Sequence, residues 1–114
     1  MKYFTLDEFA CNHCGELPPN GMNPVLLEKL DELRERIGHP IYITSGYRCP
    51  IWNADPQVGG VPNSQHVQGT AADCVCYEVT VDELADLAAE IGFDGIGRYY
   101  KKGFVHLDCR SWGT

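Results

Sequence analysis

The segment 64–73 constrains the fold most, because it places an imidazole and a carboxylate seven residues apart. His66 and Asp73 are both residue types that bind zinc, and a catalytic zinc needs three protein ligands and one open position. Small residues between them let the backbone turn and pack closely, namely Gly69, Ala71 and Ala72. Both side chains can therefore reach one point.

A third candidate ligand lies in residues 104–108, where polar and apolar side chains alternate in the manner of a β-strand. The alternation places His106 and Asp108 on one face of that strand. With this second histidine, the spacing of His66 and Asp73 favours a metal site over a surface histidine and a turn aspartate.

These residues resemble the signature of a known family. The pattern Ser64-x-His66-x-x-Gly69-x-Ala71-x-Asp73 is similar to that of the zinc D-Ala-D-Ala carboxypeptidases. Their relatives include the D-Ala-D-Ala dipeptidases, the L-alanyl-D-glutamate endolysins of phages and the hedgehog-type zinc fold. The family's third-ligand strand resembles residues 104–106, and its substrate-binding loop resembles Ser45-Gly46-Tyr47-Arg48 followed by Asn53. The resemblance runs from about Phe4 to Trp112.

The resemblance implies an enzyme. It implies a zinc metallopeptidase that hydrolyses peptide bonds in the stem peptides of bacterial peptidoglycan, in carboxypeptidase or endopeptidase mode. A single Zn2+ per chain would be held by His66, Asp73 and His106, with its fourth position left for water.

Arg48 is the candidate substrate-binding residue, because a guanidinium group binds a carboxylate in a planar, bidentate arrangement. In the family the matching position holds the substrate peptide, in carboxypeptidases by its terminal carboxylate. The resemblance also implies that Ser45 and Tyr47 shape the pocket, and that Asn53 braces the loop or contacts substrate. Core packing is the commoner role of aromatic residues, but three are candidates for the walls of the cleft: Tyr99, Tyr100 and Trp112.

The general base is where the sequence departs from the family. Family peptidases commonly carry Asp or Glu three residues before the third ligand, and here that position is Gly103. Hydrolysis needs a group that takes a proton from water and passes it to the leaving amine. Asp108 is the best candidate, because it shares a strand face with His106, and a structural role is its alternative. Weaker candidates are Tyr100, Glu78 and Asp94. The departure keeps a second function open, that of a catalytically silent zinc-binding domain used for structure or binding.

Composition narrows the class of protein. The chain has 114 residues, 44% of them hydrophobic, and a formal net charge of -7. We expect one domain over residues 1–114, a monomer, with no affinity for nucleic acid. No apolar run approaches the ~20 residues that span a bilayer. Because the N-terminus lacks a signal-peptide core, we expect synthesis in the cytoplasm, and action on the cell wall after phage-type release or as part of a virion.

Six cysteines are many for a chain of this length. Cys74, Cys76 and Cys109 fall on predicted strands, and we interpret them as buried thiols that act as small hydrophobes. The motif Cys11-Asn12-His13-Cys14 is half of a structural zinc motif. With Cys49 it could form a small metal site or a disulfide, and the alternative is a reduced, tightly turned loop. A redox or structural-zinc protein built on this motif is a third hypothesis, but it leaves the two histidines and Arg48 unexplained.

Helix and strand signals alternate along the chain. One helix is predicted from Asn23-Pro24 to Gly38, and a second from the capping box Thr80–Glu83 to Gly92. Strands are predicted over 40–44, 71–77, 95–100 and 104–109, with an ordered surface loop over 49–63. This order suggests an α+β fold, a small, largely antiparallel sheet with helices packed on one face. The family resemblance implies the same fold.

Overall fold

The protein is built on a four-stranded sheet, in which every neighbouring pair of strands is antiparallel. The computed structural model describes residues 1–60 and 64–110. In chain order the elements are a 3-10 turn (Leu6–Phe9), α1 (Pro24–Ile37), β1 (Tyr42–Ser45), α2 (Pro50–Ala54), β2 (Ala71–Val75), α3 (Val81–Ile91), β3 (Gly95–Tyr99) and β4 (Phe104–Asp108). The strand order across the sheet is β1-β2-β4-β3. The predicted α+β fold is confirmed.

The two long helices begin and end at the residues whose side chains or backbone can cap them. The Asn23 side chain accepts hydrogen bonds from two N–H groups of the first turn of α1, and Gly38 ends that helix in the left-handed conformation, with φ of 72°. Thr80 and Glu83 form the capping box of α3, and Gly92 ends it. These predictions are confirmed. Within the described ranges, every helix is too short or too polar to reach across a lipid bilayer.

The prediction of an ordered surface loop over residues 49–63 is wrong in its first part, because α2 occupies Pro50–Ala54. Cys49 caps this helix, since its Sγ accepts a hydrogen bond from the N–H of Trp52 at 3.4 Å. Proline at the first helical position lacks only an N–H that would have no partner within the helix. Pro50 therefore begins a helix here rather than interrupting one. The strands differ from their predicted bounds by one or two residues at their ends.

The two faces of the sheet carry different side chains. On one face, Ala72, Cys74, Val105 and Leu107 join the hydrophobic core with residues of α1 and α3. The predicted buried thiols are confirmed, because Cys74, Cys76 and Cys109 all lie in this core. Alternation along β2 and β4 turns the intervening polar residues to the opposite face, where they are available for a site.

Candidate metal centre

A row of residues that crosses all four strands builds the polar face of the sheet. Asp73 on β2 lies directly opposite His106 on β4. Ser45 on β1 is the partner of Asp73 on the other side, and Gly97 on β3 is the partner of His106. Residues that are directly opposite in neighbouring strands have Cβ atoms about 4.5–5.5 Å apart. The register therefore brings together two of the three predicted ligands.

His66 completes the group from the loop before β2. Its Nε2 lies 3.3 Å from Asp73 Oδ1, and His106 Nδ1 lies 3.1 Å from the same oxygen. The two imidazole rings are 5.1 Å apart between centroids and are tilted by 63°. One donor atom from each of these three residues falls within 4.8 Å of the other two. The structure thus brings the three predicted ligands around one point.

Each histidine is held by a partner on the side of its ring away from Asp73. His66 Nδ1 lies 2.8 Å from the carbonyl oxygen of Gly46. A carbonyl oxygen can only accept a hydrogen bond, so this nitrogen carries the proton. His106 Nε2 lies 2.8 Å from Asp108 Oδ2 in the same manner. Such outer partners fix the orientation and tautomer of histidines that bind metals, and here they leave the inner nitrogens to face Asp73.

The Asp73 carboxylate at the centre of the group is held in its ionised form. Burial acts to raise the pKa of Asp73, but the hydrogen bonds and charge of His106 and His66 outweigh burial and lower it to about 2. Burial acts to lower the pKa of His106, whereas Asp108 and Asp73 raise it to about 9. In the metal-free protein, a proton on His106 offsets the negative charge of Asp73. A metal ion would replace that proton, and two nitrogens and one oxygen are donors that suit zinc.

Arg48, the candidate substrate-binding residue, lies beside the three candidate ligands. Its Nη2 lies 3.5 Å from Asp73 Oδ2, and its Nε donates to Ser45 Oγ at 3.4 Å. Its backbone N–H donates to the carbonyl oxygen of His66 at 3.2 Å. The arginine loop and the histidine loop are therefore tied to each other, and Ser45 orients the guanidinium group.

A cleft of about 330 Å³ opens beside the group. His66, Asp73, His106 and Arg48 line it, and seven further residues complete its walls: Val58, Gly59, Gly60, Ser64, Tyr99, Lys102 and Phe104. The ring of Tyr99 stacks on that of Phe104 at 4.4 Å. The predicted wall residue Tyr100 lies elsewhere, because its hydroxyl donates to Asp82 of α3 at 2.7 Å. Trp112, the remaining predicted wall residue, lies outside the described residues.

Tyr47 and Asn53 are both buried rather than exposed in the cleft. Tyr47 belongs to the hydrophobic core, and its N–H donates to the carbonyl oxygen of Phe9 at 2.8 Å. Asn53 packs so closely on Gly60 that a Cβ atom there would meet Asn53 Oδ1 at 2.0 Å. For Asn53 the geometry favours the predicted bracing role over contact with substrate.

Asp108 lies behind His106, on the far side of the imidazole from Asp73. It is fully buried, and Arg110 donates to both of its carboxylate oxygens, at 2.9 and 2.6 Å. Burial opposes ionisation, but Arg110 and His106 hold the pKa of Asp108 well below its usual range. An efficient general base has a pKa near the working pH. The role of Asp108 as the base stays a prediction, and its contacts favour the structural alternative.

The glycines of β3 make room for these side chains. A Cβ atom at Gly95 would meet Asp108 Oδ2 at 2.1 Å, and one at Gly97 would meet His106 Cβ at 3.2 Å. Sequence analysis missed both glycines and Arg110. Two glycines at alternating positions of a strand are the signal that could have revealed a close approach from the neighbouring strand.

The other candidate bases do not lie in the cleft. Glu78, Asp94 and Tyr100 are absent from its described lining, and Gly103 takes the left-handed conformation, with φ of 76°. Among the described residues that line the cleft, Asp73 is the only one that carries a carboxylate. No carboxylate of this part of the chain therefore occupies the position expected for a base.

Comparison with known proteins identifies the family. The sequence model of the family Peptidase M15 matches residues 2–108. Peptidoglycan L,D-endopeptidase MepK of Escherichia coli (strain K12) is 27% identical over 99 residues, covering 80% of this chain and 54% of that protein. The probable peptidoglycan L,D-endopeptidase MepK of Haemophilus influenzae is 28% identical over 100 residues, with the same coverage of 80% and 54%. The chain spans about half the length of the curated relatives it matches. Because the family match contains every strand and all three candidate ligands, the resemblance is confirmed and the chain belongs to the peptidase M15 family.

Proposed function

We propose that this chain is a zinc-dependent peptidase that cleaves the stem peptides of bacterial peptidoglycan. The observation that carries the proposal is the convergence of His66 Nε2 and His106 Nδ1 on Asp73 Oδ1, at 3.3 and 3.1 Å, beside an open cleft. Catalytic zinc sites have three protein ligands and leave one coordination position open. Membership of the peptidase M15 family supports the same reaction class.

Different residues of the chain would bind the metal, position the histidines and bind the substrate. His66, Asp73 and His106 would hold the metal, and Gly46 and Asp108 keep the two imidazoles in place from behind. A zinc ion bound there would polarise the scissile carbonyl and lower the pKa of a water molecule to about 7. Arg48 would bind a carboxylate of the substrate and so orient the peptide.

The charge of the cleft supports an acidic peptide as substrate. Arg48 and Lys102 both line it, although the chain as a whole carries a net charge of -7. Asp73 is the one acidic residue among the described lining, and a bound metal ion would offset its charge. The remaining positive charge attracts anionic ligands, and stem peptides carry free carboxylates. The curated relatives are named as L,D-endopeptidases, which favours cleavage within the peptide over release of its last residue.

Digestion of purified peptidoglycan tests this proposal. The zinc-loaded protein is incubated with it, and the products are separated by chromatography and identified by mass spectrometry. We expect shortened stem peptides, which disappear with a chelator and in His66→Ala. Cleavage that persists in metal-free protein or in His66→Ala would contradict a metal mechanism. Release of free D-Ala alone would assign the carboxypeptidase mode instead.

A catalytically silent zinc domain is the second candidate, and Gly103 is the observation that favours it. A Cβ atom at this position would meet nothing within 4 Å, so the place of the usual acidic residue is empty space. This candidate predicts zinc and peptide binding without cleavage of any wall peptide. In either case we expect a monomer that reaches the cell wall after phage-type release or within a virion.

A further inference from the structure

Three thiols converge at a second place in the molecule, which the proposed function does not use. Cys11, Cys14 and Cys49 bring their sulfur atoms within 4.8 Å of one another. All of them are free thiols. The Nδ1 atom of His13 lies 3.9 Å from Cys49 Sγ. We call this group the cysteine cluster.

A tight turn shapes the first half of the cluster. The N–H of Gly15 donates to the carbonyl oxygen of Cys11, and the N–H of Cys11 donates to that of Glu16, both at 2.8 Å. Gly15 has φ of 74°, a left-handed conformation that glycine adopts without strain. This turn places the side chains of Cys11 and Cys14 together. Cys49, the residue directly before α2, brings the third sulfur atom to them.

Backbone N–H groups surround the sulfur atoms. The N–H of Cys49 donates to Cys11 Sγ, and the N–H of Trp52 donates to Cys49 Sγ, each at 3.4 Å. Hydrogen bonds to a sulfur atom stabilise the thiolate form, and the thiolate is the form that binds metals. Two of the three sulfur atoms therefore accept a backbone hydrogen bond that a bound metal ion would leave in place.

The imidazole of His13 is held beside the sulfur atoms by an aromatic neighbour. Its ring stacks on the ring of Trp52, with centroids 5.4 Å apart and planes only 3° from parallel. Because Trp52 belongs to α2, this contact keeps His13 on the side of the cluster where Cys49 lies. A nitrogen donor is thus available next to Cys49, one of the three sulfur donors.

We propose that the cysteine cluster binds a structural zinc ion through Cys11, Cys14 and Cys49, with His13 as the fourth ligand. Four protein ligands of the Cys3His type close a tetrahedral site, and thiolates select zinc over magnesium or calcium. With Zn–S bonds of about 2.3 Å, the sulfur atoms of such a site lie about 3.8 Å apart, so the cluster, whose sulfur atoms lie within 4.8 Å of one another, needs to contract by at most about 1 Å. The thiol protons leave to solvent when the ion binds.

The zinc ion would connect the N-terminal segment to the arginine loop. Cys49 directly follows Arg48, and the Asn12 side chain donates to the carbonyl oxygen of Thr44 at 3.0 Å. Gly46, whose carbonyl holds His66, packs so closely on Phe9 that a Cβ atom there would meet its backbone at 2.6 Å. The ion would therefore stabilise the support of the catalytic residues without touching substrate.

Zinc stoichiometry of the reduced, full chain tests the proposal. We expect two equivalents in the wild type, one in Cys14→Ser and one in His66→Ala. Cys14 is exposed, so its serine variant should keep the fold, as circular dichroism can verify. Cys76→Ala is the matched control, because Cys76 lies in the core, and it should keep both ions.

Cobalt substitution assigns the site in the same proteins. Thiolate ligands give Co2+ an intense charge-transfer absorption in the near ultraviolet. We expect His66→Ala to keep this absorption and Cys14→Ser to lose most of it.

Two results would overturn the inference. One is a Cys14→Ser protein that still binds two zinc ions. The other is a reduced wild type that binds a single zinc ion, which is lost in His66→Ala. A protein that binds two zinc ions but cleaves no wall peptide would instead refute the proposed function and leave this site standing.

Discussion

Two groups of candidate metal ligands lie in this small protein, and they are built in opposite ways. His66, Asp73 and His106 offer nitrogen and oxygen donors, two of them fixed by the register of β2 and β4. The cysteine cluster offers mainly sulfur donors that come from turns and from the residue before α2. The first group lies at a cleft, whereas the second has a fourth protein donor beside it.

The difference shows how the number of protein ligands separates a catalytic metal site from a structural one. A site with three protein ligands leaves a position where substrate and water can react, and a site with four is closed. The strands hold the first group rigidly, and Gly46 and Asp108 hold its histidines from behind. In the second group, backbone N–H groups contact the sulfur atoms directly. We therefore expect substitutions to separate the two sites cleanly.

The largest of these effects should follow from Arg48→Lys, which keeps all three candidate ligands of the histidine site. A lysine keeps the positive charge but loses the bidentate geometry. Hydrogen bonds to charged groups contribute about 1.5–3 kcal/mol, so kcat/KM should fall on the order of 10²-fold, with both zinc ions retained. Steady-state kinetics on a stem peptide measures this change. An unchanged kcat/KM would remove Arg48 from the substrate site.

The next effect should follow from Asp108→Asn, which distinguishes positioning from proton transfer. Loss of a partner behind a metal-binding histidine typically weakens metal binding about 10–100-fold. We expect this loss at the histidine site alone, measured by competition with a chelator, and recovery of turnover at saturating zinc. The cysteine cluster is the internal control. Unchanged zinc affinity with turnover reduced roughly 10²-fold or more would instead make Asp108 the general base.

The smallest effect should follow from Gly95→Ala, which presses on Asp108 from β3. Overpacking of a filled space costs about 1–3 kcal/mol, more than the 0.5–1 kcal/mol that alanine usually gains over glycine in a strand. We expect a lower melting temperature and weaker zinc binding at the histidine site. Gly97→Ala is the matched comparison, because its Cβ atom would meet a ring carbon of Tyr99 at 2.8 Å, which can move, and His106 Cβ at 3.2 Å, so both of its effects should be smaller than those of Gly95→Ala. Equal melting temperatures for Gly95→Ala and the wild type would show that Asp108 has room to shift.

Local signals made much of the fold predictable. The caps at Asn23, Gly38 and Thr80 depend only on neighbouring residues, and both helices follow them. The short helix α2 carries the same kind of signal in Cys49 and Pro50, but it lies in a stretch rich in glycine and proline that otherwise indicates a loop. The structure also brings His66, Asp73 and His106 together, as the family resemblance implied.

The supporting contacts of the site were not predictable, because they depend on how the strands pair. The space that Gly95 leaves for Asp108 exists only in the register that sets these two residues opposite each other. The pairing of Arg110 with Asp108 depends on where β4 ends, since the N–H of Arg110 turns back to Asp108 Oδ1 at 3.2 Å. Sequence alternation gave Asp108 the correct strand face but could not show which side of His106 it would occupy.

The strand order β1-β2-β4-β3 also sets the timing of assembly during synthesis. The ribosome releases β4 after β1, β2 and β3, yet β4 occupies an interior position between β2 and β3. A nascent chain can pair β1 with β2, but the second edge of β2 and the inner edge of β3 stay open until Phe104–Asp108 emerges. His106 arrives on that same segment. The growing polypeptide therefore closes its sheet and acquires its last candidate histidine ligand in one step, and a nascent chain that stops before Phe104 has neither.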